Sequence, residues 1–126
     1  MTLRDALSAH RRALTLGGLD GIRDQTLIES AIARPYSGYY RTIAAKAAAL
    51  TESIIMNHGF VDANKRTAVV LVHTLISKSG YRLVAAQSDE QLQDALERVI
   101  LATATSELKF PDLARWFEAR LVRQPN

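Results

Sequence analysis

The sequence predicts an all-α fold, a bundle of about six helices forming one domain over residues 1–126. Three observations carry this. Apolar residues recur at helical spacing throughout, no period-two run is long enough for a core strand, and Gly, Pro and capping residues fall at intervals that suit helices. With 48% of its 126 residues apolar, the chain can bury a core without disulfide or metal staples.

Each element has its own signal. A first helix is expected over about 3–15, where Thr2 caps the start, Asp5 completes a capping box and Gly17-Gly18 ends the run. "GGLDGIRDQ" is a polar loop, from which Asp24 can cap a second helix through "TLIESAIAR" until Pro35 stops it. After "YSGYYR", a third helix runs from about Thr42 to Asn57, with Ile43, Ala47, Leu50 and Ile54 on one face and Gly59 closing it. A fourth begins near Asn64, is apolar nearly all round through "AVVLVHTLI", and is therefore expected at the bundle centre; Ser79-Gly80 ends it. "YRLVAA" reads as a short extended piece. Ser88 with Gln91 suggests a capping box for a fifth helix to about Thr103, and Pro111 suits the first turn of a last helix carrying the core stripe Leu113, Trp116, Phe117 and Leu121.

Composition narrows the function classes. There is no Cys, so disulfides and thiolate metal sites are excluded, and three scattered His residues do not make a structural zinc site. No apolar run reaches the roughly 18 to 20 residues of a membrane span, and the N-terminal segment is charged where a signal peptide needs apolar residues. A soluble, unprocessed cytoplasmic protein is expected. Sixteen Lys and Arg against 13 Asp and Glu favour an anionic ligand, without the dense basic stripe of a direct nucleic-acid binder.

The polar residues concentrate at "HGFVDANKR", positions 58–66, between the third and fourth helices. Some of them suit plain helix termini: Asp62 or Asn64 can cap, Phe60 can staple the loop to the core, and His58 can satisfy a carbonyl. Lys65 and Arg66 do not, because cations at the positive end of a helix dipole cost a few tenths of a kcal/mol each. A local rule broken in two adjacent residues points to a compensating ligand. Free N–H groups, Lys65 and Arg66 would hold phosphates, Asp62 the Mg²⁺ of a nucleoside triphosphate, and His58 a proton from an incoming hydroxyl. His10 in "AHRRA" reads as part of a solvated face, His73 as a core or interface histidine, and Tyr36, Tyr39 and Tyr40 as packing.

"HGFVDANKR" closely resembles the signature of the Fic/Doc family, H-x-F-x-[DE]-[GA]-N-[GK]-R, and "GLDGIRDQTLIESAIARP" upstream and "SGYRL" downstream resemble its Doc (death on curing) branch. AMP-transferring Fic members usually carry Gly where this chain has Lys65, and a second Arg where it has Val69. The resemblance implies a toxin that turns ATP around and transfers its γ-phosphate to a protein hydroxyl, a threonine of elongation factor Tu, and so arrests translation. It implies His58 as general base, Asp62 as the Mg²⁺ ligand, and Asn64, Lys65 and Arg66 as phosphate-binding groups. Gly59, where the family often has Pro, is expected to loosen the loop. Gly17 to Asp24 corresponds to the family's segment over the active site that pairs with the target peptide.

Many Fic enzymes silence themselves through a helix bearing [ST]-x-x-x-E-[GN], a string this chain lacks. An external brake is therefore expected: a Phd-like antitoxin whose disordered tail folds into a groove formed by the N-terminal helices, with operator DNA touched only through the antitoxin. Two alternatives stand beside the kinase reading. One is AMP transfer; the other is a catalytically idle, antitoxin-binding corepressor. Lys65 and Val69 speak against the first, and the complete motif against the second.

Overall fold

The computed structural model describes residues 1–125. Six α-helices appear in order: α1 (Leu3–Leu14), α2 (Gln25–Ala33), α3 (Ile43–Asn57), α4 (Asn64–Lys78), α5 (Leu92–Ala104) and α6 (Phe110–Glu118). One 3-10 turn, Arg34–Tyr36, extends α2, and two short strands, β1 (Tyr81–Leu83) and β2 (Leu121–Arg123), pair antiparallel with Arg82 opposite Val122.

The helix starts follow local chemistry. Thr2 and Asp5 form the reciprocal capping box on α1, the Asp24 carboxylate accepts the Thr26 and Leu27 N–H groups, and Thr42 caps α3. Elsewhere the expected devices differ. Ser88 caps nothing; α5 starts after Gln91 without a side-chain cap, while Asp89 accepts the Ala86 N–H and both a 2.7 and a 2.8 Å bond from the buried Arg120 guanidinium. That guanidinium also lies 4.1 Å over the Trp116 ring. Leu121, expected in the last helix, lies in β2: α6 ends at Glu118, and the Arg120 carbonyl already accepts the Val84 N–H at 2.8 Å beside the β1 pairing.

The centre of the bundle is α3 rather than α4. Nine of its residues are buried, from Ala44 to Ile55, and it packs against α2, α4, α5 and α6. Its alanines permit that close approach from several sides, which the bulkier side chains of α4 do not. In α4, Leu71, Val72, Leu75 and Ile76 enter the core, whereas Val69 and Val70 are only partly covered and His73 is exposed. Of the three tyrosines, Tyr40 packs on Phe110 and accepts from Arg34, but Tyr39 and Tyr36 are exposed.

Candidate active site

The chain leaves α3 through a residue that is not glycine. His58 adopts the left-handed conformation (φ 51°, ψ 46°), and Arg23 donates to the carbonyls of His58 (2.8 Å) and Asn57 (3.3 Å) at this helix end. The role of donor to the helix-end carbonyls, expected of the His58 imidazole, thus falls to Arg23, and the His58 ring is exposed. Gly59, expected to loosen the loop, is buried. Its carbonyl accepts the N–H groups of Arg23 and Asp24, and its missing side chain makes room for Ile28. Phe60 is fully buried and forms an isolated antiparallel bridge with Ile22, and Val61 donates to the Gly21 carbonyl.

A second left-handed residue, Ala63 (φ 63°, ψ 25°), turns the chain into α4. No side chain caps this helix, contrary to the roles expected of Asp62 and Asn64. The Asn64 amide instead grips the loop, accepting the Phe60 N–H at 3.2 Å and donating to the Phe60 carbonyl at 3.0 Å. The Asp62 carboxylate accepts from Leu19 N–H (3.1 Å) and Ala63 N–H (2.8 Å). Those two bonds, the Leu19 one foremost, hold its pKa below the usual carboxylate value. The first-turn N–H groups of α4 are left without a capping side chain at the positive end of its dipole.

Lys65 and Arg66 now part company. Arg66 donates to the Ala13 carbonyl at 2.7 Å, so the negative end of α1 compensates it. Lys65 is exposed and makes no ion pair among the described residues. The unexplained cation at this helix start is therefore one, not two.

These side chains converge. His58, Val61, Asp62, Asn64, Lys65 and Arg66 border one cavity of about 350 Å³. Among the described residues no cluster of three or more His, Asp or Glu forms a metal cage. A single half-buried carboxylate with lone pairs to spare suits the way Mg²⁺ binds, through one or two carboxylates, water and the phosphates it accompanies.

Two features differ from the sequence-based expectations, which had His10 on a solvated face and a groove between the N-terminal helices. His10 is buried at 3% exposure rather than solvated, stacked on Phe60 with ring centroids 3.9 Å apart and planes 9° from parallel. Its Nε2 lies 2.9 Å from the Asp62 carbonyl. The signal was present: Ala6, Ala9, His10 and Ala13 recur at helical spacing and form the buried face of α1. The second feature is a groove of about 390 Å³ between α1, α4 and α5, lined by Ala13, Leu16, Val69, Val70, Ile100 and Leu101. Val69, where AMP-transferring members carry Arg, faces this groove and not the His58 cavity.

Comparison with known proteins agrees with this layout. A family model described as Fic/DOC family matches residues 1–76, which contain α1, the strap at 17–24 and the whole 58–66 loop. The chain is also 35% identical over 92 residues to a protein described as "Toxin Doc" from Mycolicibacterium smegmatis (strain ATCC 700084 / mc(2)155), covering 69% of this chain and 71% of that protein. No helix among the described residues is long and apolar enough to cross a membrane. The motif lies within the residues that the family model matches, the relative is similar over two thirds of both chains, and the protein belongs to the Fic/Doc family.

Proposed function

We propose that the protein is the toxin of a toxin–antitoxin pair and that it transfers the γ-phosphate of ATP to a protein hydroxyl, a threonine of elongation factor Tu. The observation that carries this reading is the uncapped start of α4 beside the unpaired Lys65, in the same cavity as the exposed His58 imidazole. N–H groups and Lys65 form a site for phosphate oxygens, and Arg66, anchored on Ala13, borders it. Asn64 acts by fixing the Phe60 backbone, which sets the direction of those N–H groups.

His58 takes the proton of the target hydroxyl as its oxygen attacks the γ-phosphorus; the new O–P bond forms, the bond to the bridging oxygen breaks, and ADP leaves with that electron pair. Asp62 would hold Mg²⁺, which supplies charge neutralisation for the phosphates. Equal ATP affinity with and without Mg²⁺ removes this role from Asp62. Lys65 fills space that a Gly would leave for a diphosphate, which supports γ- over α-phosphoryl transfer.

The partner is a Phd-like antitoxin whose tail folds as an amphipathic helix in the α1–α4–α5 groove. Leu16 and Leu101 are 81% and 57% exposed there, and Arg12, Lys65 and Arg66 rim it, an arrangement suited to an apolar helix face with acidic flanks. Incubation with elongation factor Tu and ATP labelled at the α- or the γ-phosphate tests the reaction. Label transferred only from the γ-position supports phosphorylation; label from the α-position selects AMP transfer, and transfer from neither selects the idle corepressor.

A further inference from the structure

We propose that His10 is a positioning residue for the nucleotide loop, acting on it from α1 through the Asp62 carbonyl and the Phe60 ring; this rests on the reading of residues 58–66 as the phosphate-binding site. A carbonyl oxygen can only accept, so the 2.9 Å contact assigns the proton of His10 to Nε2. The other ring nitrogen is Nδ1. It faces the exposed Asp20 carboxylate at 3.9 Å, beyond hydrogen-bond range.

The contact falls on a sensitive point of the backbone. Asp62 O belongs to the peptide unit joining Asp62 to Ala63, and Ala63 carries the left-handed turn that starts α4. A left-handed non-glycine residue costs on the order of 1 to 2 kcal/mol and persists only where its surroundings fix it. Here the fixing groups are few. The Asp62 side chain holds Leu19 and Ala63 N–H, Asn64 holds Phe60, Thr67 donates its N–H (2.9 Å) and hydroxyl (2.7 Å) to the Ala63 carbonyl, and among the described residues His10 alone holds the Asp62 carbonyl. The stack on Phe60 sets the ring plane, so the N–H is aimed before any ligand arrives.

Without that bond, the turn would sample other conformations and only a fraction of molecules would present α4's N–H groups correctly. Apparent affinity falls by that fraction. A single lost buried hydrogen bond predicts a drop of about five- to tenfold.

Two variants of the full chain separate the ring from the donor. His10→Phe keeps the stack and loses the N–H; His10→Gln keeps an N–H of similar reach and loses the ring. The measurements are ATP affinity with Mg²⁺ by calorimetry and amide hydrogen exchange over residues 58–66. We expect His10→Phe to fold, to exchange faster at Ala63 to Arg66 and to bind ATP about five- to tenfold more weakly, with His10→Gln recovering most of both. Wild-type exchange and affinity in His10→Phe overturn the proposal. If wild-type protein binds no ATP, the nucleotide reading fails, and exchange by itself decides the positioning role. Should His10→Phe not fold, His10→Met, the apolar counterpart of Gln, takes its place: faster exchange over 58–66 in His10→Met than in His10→Gln supports the role, and equal exchange overturns it.

Discussion

A methyl group on Gly59 would stand 2.4 Å from Cγ1 of Ile28 and 3.1 Å from its backbone nitrogen. Ile28 is itself 1% exposed and cannot yield outward, so α2 and the motif loop fit together only because position 59 has no side chain. Gly59→Ala is expected to lower stability by about 1 to 3 kcal/mol, the usual range for overpacking. Thermal melts of Gly59→Ala, Ile28→Ala and the double variant check this. A double variant less destabilised than the sum of the two singles locates the clash at this contact.

His58→Ala is expected to abolish transfer and growth arrest while the fold survives. The imidazole is exposed, so little packing is lost, and loss of a general base costs about 10² to 10⁴ in rate. Circular dichroism and a transfer assay on the same preparation separate the two effects; growth arrest at wild-type expression would exclude His58 as the base.

Lys65→Gly should erase phosphoryl transfer, and it restores the space that an AMP-transferring arrangement uses. A complete switch is not expected, because Val69 supplies no guanidinium and faces the neighbouring groove. Mass spectrometry of the target distinguishes a phosphate, about 80 Da, from an AMP group, about 329 Da. A 329 Da adduct from the unsubstituted protein would reverse the assignment of Lys65.

Leu16→Asp and Leu101→Asp should weaken antitoxin binding without loss of toxicity. Both side chains are exposed, so the fold loses little, while a carboxylate in the groove would need desolvation under a docked apolar helix. A loss of about ten- to hundredfold in affinity is expected by surface-immobilised binding. Unchanged antitoxin affinity in both variants would move the partner to another face.

Asp89→Asn should lower the melting temperature near neutral pH. Hydrogen bonds from Arg120 foremost, and then from Ala86 N–H, hold the Asp89 carboxyl below its ordinary 3.8. A depressed folded-state pKa contributes stability above the unfolded value and loses it as pH falls through the folded one. The gap between wild type and variant should therefore be full at pH 6 to 7 and close below about pH 3.8. A gap that persists at pH 2 would mean that packing, not charge, sets it.

What could be read from the sequence was local. Thr2 with Asp5, and Asp24, act within a few residues of where they stand, and each caps its helix as expected; Thr42, expected as the start of the third helix, caps it. The β1–β2 pairing could not be read, since Tyr81 and Arg123 meet across 42 residues and each strand has three. The motif showed which polar residues gather at the loop but not how they are held. Asn64 looks like a cap and is a loop clamp; Arg66 looks like an uncompensated cation and is bound by Ala13. Gly59 looks like a helix stop, yet its reason for being glycine lies in Ile28 of another helix.

The contacts that complete the loop from below, His10 to Asp62 and Arg66 to Ala13, join residues 52 and 53 positions apart. Closing a chain segment of that length costs on the order of 3 to 4 kcal/mol, whereas each helix forms from neighbours. The loop's lower contacts therefore depend on long-range closure, whereas the helices depend on local contacts. During synthesis, the contacts of α1 with the loop wait for residues 60, 62 and 66 to emerge, so the site cannot be complete before the first turn of α4 has been made.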